Sequence, residues 1–164
     1  MPQLDLWKTL DADPTAWGVI PTNREVYANR GALTGAAIMG KGLAKDAALR
    51  YPELPYLYGN YLRTPAPREA EVSVCLVYFY AAGRLILLPT KHRYKEAASL
   101  TLIEQGMQEL VVLAQEAVEG GAGMSVIWFP RIGCGLGGLP WRPVRRILDN
   151  FSNHTPVPFG LLEP

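Results

Sequence analysis

Short apolar runs of β character alternate along this chain with longer runs of helical period, which predicts an α/β domain with a largely internal sheet. Trp17-Gly18-Val19-Ile20 reads as a buried strand that Pro21-Thr22-Asn23 ends with turn chemistry. A stretch rich in Gly, Ala and Asn then runs to Gly40, and the helix formers Leu43 to Arg50 follow until Tyr51-Pro52 stops them. Glu53 to Leu62 predicts a second short helix, broken by Thr64-Pro65-Ala66-Pro67. Val72 to Tyr80 and Leu85 to Leu88, joined by Ala81-Ala82-Gly83-Arg84, predict a hairpin. Between Ser99 and Glu119 the apolar residues recur at spacings of three and four with the acidic residues off that face, which predicts a helix. Met124 to Phe129 predicts another buried strand, Trp141 to Phe151 a last helix, and Val157 to Leu162 a final strand.

Length and composition limit what such a chain does. Its 164 residues predict a single domain over 1–164, and 49% apolar with 19% charged residues exclude disorder for most of it. Sixteen Lys plus Arg against fifteen Asp plus Glu leave a net charge of +1, so any anionic ligand is held by local groups, not by a global field. Cys75 and Cys134 lie far apart in unlike contexts, which excludes a disulfide scaffold and a cysteine-based zinc site. No metal and no cofactor is expected. The first residues lack a basic stretch followed by an apolar one, and no uncharged run is long enough to span a bilayer, so the expectation is a soluble cytoplasmic protein away from membranes.

Three loops carry the candidate chemistry. The first, Asn29 to Gly42, lies after a strand and before a helix, where glycines admit a ligand to backbone N–H groups and the helix start favours negative charge. It is neither a dinucleotide fingerprint nor a Walker loop, because Lys41 is followed by Gly42 and not by Ser or Thr. The second, Pro130 to Leu139, stands in the same setting and holds Gly133, Gly135, Gly137 and Gly138 within six positions. Each glycine costs conformational entropy, so their density points to a backbone that approaches a ligand. Two such loops at strand ends suit a diphosphate gripped from both sides. The third, Pro89 to Lys95, is basic. Most such runs are solvated turns, yet Lys91 lies close to a buried strand end, where an amine can be set up as nucleophile or general base.

Taken together, Ile20-Pro21-Thr22-Asn23, Met39-Gly40-Lys41-Gly42-Leu43-Ala44, Leu88-Pro89-Thr90-Lys91-His92 and Arg131-Ile132-Gly133-Cys134-Gly135-Leu136-Gly137-Gly138-Leu139-Pro140-Trp141 resemble the macrodomain superfamily. The resemblance is narrower to its DarG-like branch of DNA ADP-ribosyl glycohydrolases, which also holds a terminal ADP-ribose glycohydrolase. It implies a three-layer α/β/α fold around a mixed central sheet, with ADP-ribose across the strand ends. By that resemblance Asp5 accepts from the adenine amino group, although Leu4 stands where the family has glycine, and Asn23 holds the distal ribose. Met39, Gly40, Lys41, Gly42 and Leu43 wrap the distal ribose and diphosphate. Gly133, Cys134, Gly135, Leu136, Gly137 and Gly138 close over the phosphates, with Leu6, Thr22 and Pro130 beside them.

Lys91 matches the lysine with which this branch removes ADP-ribose, by attack on the anomeric carbon or by acid/base action on the glycosidic bond. With Asn23 it makes up the expected catalytic pair. Where the terminal glycohydrolase carries an aspartate, this chain has Gly137, which favours a nucleic-acid acceptor over protein glutamate. The stretch Arg24 to Ala36 is longer than in DarG-like sequences. Arg24, Arg30, His92 and Arg93 are expected as a rim for single-stranded DNA, and Arg142, Arg145 and Arg146 as an extension of it or as a solvated helix face.

The leading expectation is therefore an ADP-ribosyl hydrolase acting on thymidine-linked ADP-ribose in DNA, with an ADP-ribosylating toxin as a genetic partner. A non-catalytic ADP-ribose reader is the alternative. Other acceptors are a protein side chain, an RNA end or ADP-ribose 1″-phosphate.

Overall fold

A computed structural model describes residues 5–63 and 75–162. Its axis is β1 (Ala16–Asn23), whose β-branched and aromatic residues are buried on both faces. β3 (Leu85–Lys91) and β4 (Val126–Phe129) flank it in parallel, β5 (Phe159–Leu161) continues in parallel beyond β4, and β2 (Tyr78–Tyr80) closes the other edge antiparallel to β3. The order β2-β3-β1-β4-β5 makes a mixed five-stranded sheet.

Helices cover both faces. α1 (Leu6–Ala12), α2 (Gly42–Arg50) and α3 (Leu54–Arg63) pack with Ala16, Ile20, Leu85 and Leu87 in one core. On the opposite face α4 (Leu100–Glu119) and α5 (Trp141–Ser152) pack with Val19, Ile86, Leu88, Ile127 and Phe129. Along β3 the side chains alternate between the two cores, as a two-residue period requires. The expected three-layer α/β/α arrangement is what forms. No helix among the described residues is long and apolar enough to cross a membrane.

Several elements differ from expectation. Pro21-Thr22-Asn23 does not end the first strand: β1 runs through it, Pro21 in register with Leu88, before a bulge between Thr22 and Asn23. β3 likewise continues past Leu88 and Pro89, so Lys91 is a strand residue. α1 is an unpredicted helix, capped by the Asp5 carboxylate, which accepts from the N–H groups of Trp7 (2.8 Å) and Lys8 (3.3 Å). The strand expected over Val72 to Tyr80 is described from Cys75 onward, and of those described residues Tyr78–Tyr80 join the ladder. Cys75, Leu76 and Val77 instead give their N–H groups to the Glu109 carboxylate. Glu109 is itself a departure, an acid of α4 only 7% exposed on a helix whose acidic residues were expected to face out.

Candidate functional site

In a sheet with four parallel strands, ligands collect beyond the carboxyl ends. At that edge Asn23 and Lys91, the last residues of β1 and β3, are register partners. The Asn23 side chain, 8% exposed, donates from Nδ2 to the Ile38 carbonyl (3.0 Å) and accepts at Oδ1 from Glu25 N–H (2.8 Å). One amide therefore pins both ends of the excursion 24–38, which Ile38 N–H to Glu25 O (2.9 Å) and the Val26–Ala37 bridge also close. An amide has two donors and two lone pairs, so one of each remains for a ligand. Lys91 is half-buried, and its ammonium has no ion pair among the described residues.

Two sets of unused N–H groups stand at the same edge. α2 begins without a side-chain cap, so the N–H groups of its first residues, from Gly42 onward, face outward. Gly40, Lys41 and Gly42 are exposed, Leu43 is half-buried, and Gly42 takes the left-handed φ of +58° that turns the chain into the helix. The second set lies in the loop after β4. Its folded hydrogen bonds use the N–H groups of Cys134, Gly138 and Leu139, and those of Gly135, Leu136 and Gly137 donate to no acceptor among the described residues. Such successive free N–H groups make an anion-binding concavity.

That loop is anchored from behind. Ala98 N–H donates to Gly137 O (3.0 Å) and Ser99 N–H to Thr90 O (2.8 Å), which ties the loop to the end of β3. A Cβ on Gly137 would lie 2.6 Å from Gly133 O and 2.7 Å from the Ala98 Cβ, so this position has no room for a carboxylate. Gly135 meets nothing within 4 Å, and Leu136 is 71% exposed at the tip. Burial raises the Cys134 thiol above the usual cysteine range, against the lowering influence of Arg131, and its Sγ donates to Ile132 O (3.4 Å).

Other expected binding residues lie further in. Leu6 and Met39 are core side chains, with Leu6 seated over Gly18, where an added Cβ would come within 2.7 Å of its Cδ1. Thr22 shares a buried hydrogen bond with the Tyr58 hydroxyl (3.2 Å). What Met39 and Thr22 have left for a ligand is backbone. Asp5 is exposed with Oδ1 occupied by its cap, and Pro130 is half-buried at the end of β4.

The expected rim is partly assembled. Arg24 donates through Nη2 to Nδ1 of His92 (2.6 Å), an arrangement that leaves the imidazole proton on Nε2, and Arg24 N–H donates to His92 O (3.2 Å). Arg24, His92 and Arg93 border a groove of about 660 Å³, and Arg30 is not among its lining residues. Sequence reasoning missed the rest of that groove, Glu25, Val26, Leu62 and Leu76, because three separate segments supply it. Arg142, Arg145 and Arg146 line a different crevice along α5, where Arg145 pairs with Asp149 (3.7 Å).

No family model matches the chain. Among curated proteins, the DNA ADP-ribosyl glycohydrolase of Mycobacterium tuberculosis is 28% identical over 133 residues, 77% of this chain and 35% of that protein. A DNA ADP-ribosyl transferase-DNA ADP-ribosyl glycohydrolase fusion protein of Thermosipho africanus is 27% identical over 144 residues, 77% of this chain and 36% of that protein. This chain thus spans about a third of the length of the curated relatives it matches. Among solved structures, the DarG macrodomains of M. tuberculosis and Thermus aquaticus superpose with TM-scores of 0.66 and 0.67. Both are 24% identical; the matches cover 92% and 94% of this chain, and 90% and 93% of theirs. T. africanus DarTG in complex with ADP-ribose matches with a TM-score of 0.64 at 20% identity, over 92% of this chain and 38% of that one.

Proposed function

From the macrodomain fold shared with these DarG domains, we propose that this chain binds ADP-ribose across the carboxyl edge of its sheet and hydrolyses an ADP-ribosyl bond in DNA. The carrying observation is that Lys91 ends its strand in register with Asn23, with two sets of free backbone N–H groups at the same edge. The N–H groups of the α2 start and of Gly135 to Gly137 hold the diphosphate. The remaining amide positions of Asn23 orient the distal ribose, which brings the anomeric carbon to Lys91. Lys91 then acts there in one of two ways: its free amine attacks C1″ as the bond to the acceptor breaks, the acceptor leaves with a proton and water later hydrolyses the C1″–N adduct, or it passes a proton to the departing acceptor while water attacks C1″ directly. Asp5 keeps Oδ2 for the adenine amino group, and the rim of Arg24, His92 and Arg93 receives a single strand.

The acceptor in this reading is thymidine. The unit works as one domain in the cytoplasm, and the transferase fused to the T. africanus relative supports an ADP-ribosylating toxin as its genetic partner. One observation favours a reader instead: Gly137 supplies no carboxylate and leaves no space for one.

Release of ADP-ribose from a thymidine-ADP-ribosylated single-stranded oligonucleotide separates the two. Wild type should release it and Lys91→Ala should not, a loss of at least 100-fold, while calorimetric affinity for free ADP-ribose changes less than threefold. Binding without release by wild type would identify a reader or another acceptor, such as a protein side chain, an RNA end or a 1″-phosphate. Equal loss of binding and release in Lys91→Ala would make Lys91 a ligand contact only.

A further inference from the structure

The groove bordered by Arg24 and His92 begins one residue beyond Asn23 and Lys91, the pair to which the reading above brings the anomeric carbon. Its wall includes Leu76, which is held at φ +68°, in the left-handed region that a leucine rarely adopts. The restraint on Leu76 is elaborate. Glu109 Oε1 accepts from Leu76 N–H (3.0 Å) and Val77 N–H (3.2 Å), its Oε2 accepts from Cys75 N–H (2.6 Å), and the Tyr58 hydroxyl donates to Leu76 O (3.4 Å).

A carboxylate in a core is costly unless its oxygens are satisfied, and here three consecutive N–H groups satisfy them. The buried acid of α4 thereby fixes residues 75–77 just before β2 and holds the unfavourable backbone of Leu76 at the groove. Strain held this firmly beside a reacting edge is a mark of function.

Resting on the DNA reading above, we propose that this groove seats the acceptor nucleobase, with Leu76 as the side chain that packs against the base and Glu109 as the positioning residue that holds it. The lining suits such a guest. Val26, Leu62 and Leu76 offer an apolar wall for a base face, and Arg24 and Arg93 offer cations for the flanking phosphates. A base extruded from its stack needs both. Glu25 is fixed at the border, where its Oε2 accepts from Tyr94 N–H (3.0 Å).

The test uses Leu76→Gly, because glycine takes the left-handed backbone without strain and the fold persists while the wall is lost. Leu76→Met restores an apolar wall, and Glu109→Gln keeps the shape but weakens the cradle. On the thymidine-ADP-ribosylated single strand, Leu76→Gly should raise KM at least 10-fold with kcat within threefold, Glu109→Gln should follow in the same direction, and Leu76→Met should recover wild-type KM. Affinity for free ADP-ribose should stay within twofold in all three. Unchanged KM in Leu76→Gly, or an equal fall in ADP-ribose affinity, overturns the assignment. If wild type releases nothing from this substrate, the hydrolase reading fails separately, and fluorescence anisotropy with an unmodified thymidine-containing single strand decides the groove. Weaker binding by Leu76→Gly than by wild type upholds it, and equal or absent binding by both rejects it.

Discussion

Gly135 and Gly137 sit two residues apart in one loop, yet they are glycines for different reasons. At Gly135 an added side chain meets nothing of the protein, and in the ADP-ribose reading proposed above the position is small for the ligand's sake. Gly135→Trp should leave the unfolding midpoint in urea unchanged and remove measurable ADP-ribose binding; retained binding would move the phosphates away from this loop. At Gly137 the obstacle is the protein's own backbone, Gly133 O at 2.6 Å. Gly137→Asp should therefore not add the carboxylate that a terminal ADP-ribose glycohydrolase uses. It should instead destabilise the fold by about 1–3 kcal/mol in equilibrium denaturation, the usual cost of forcing atoms into packed space. The density of glycine was legible in the sequence, because it breaks the composition of its surroundings. What hems in Gly137 was not, since its neighbours are set by how the loop folds back on Gly133 and onto Ala98, some forty positions earlier. Lys91 and Asn23 were both legible as candidates, but their pairing across β1 and β3 depends on register, which a single strand's pattern does not contain.

Among the elements, those with long periodic patterns were readable and those set by one distant side chain were not. α4 and α5 follow their apolar spacing almost to the residue. α1 has seven residues, too few for a period to stand out, and exists because of its two ends. Asp5 caps the first. At the other, Arg84 reaches back from the β2–β3 turn and donates to the carbonyls of Leu10 (2.9 Å), Asp13 (2.6 Å) and Ala16 (2.7 Å). No sequence rule connects an arginine to a helix that ended more than seventy residues earlier. Arg84→Met keeps most of the stem's packing and removes the donors. It should cost about 2 kcal/mol by urea denaturation, within the range for hydrogen bonds to a charged group, and should speed amide exchange in α1 and at the start of β1. Exchange unchanged in α1 would show that packing of Leu6 and Leu10 on Gly18 suffices to hold the helix. The shortening of β2 has the same kind of origin. Residues 75–77 carry strand propensity, but their N–H groups are taken by the carboxylate of the distant Glu109.

For the whole molecule, alternation of strand and helix patterns anticipated an α/β domain with an internal sheet, while the three layers were implied by the family resemblance; right-handed crossovers between parallel strands leave helices little other choice of place. Charge has a consequence at this scale as well. A net charge of +1 gives no field over the surface to draw in a polyanion, so in the DNA reading proposed above the attraction for a strand comes from local cations such as those at the groove. Each neutralised phosphate of a single strand contributes roughly −0.7 to the slope of log K against log salt concentration. With Arg24 and Arg93 engaged, alone or with one further contact, the slope for an unmodified single strand should be about −1.4 to −2.1. Anisotropy titrations from low to moderate salt measure it directly. Arg93→Gln should reduce the slope by roughly 0.7, whereas Arg146→Gln on α5 should not change it. A wild-type slope near −4 would instead mean that the strand runs on from the groove along Arg142, Arg145 and Arg146. The two basic surfaces would then act as one, and the α5 face would belong to the substrate path.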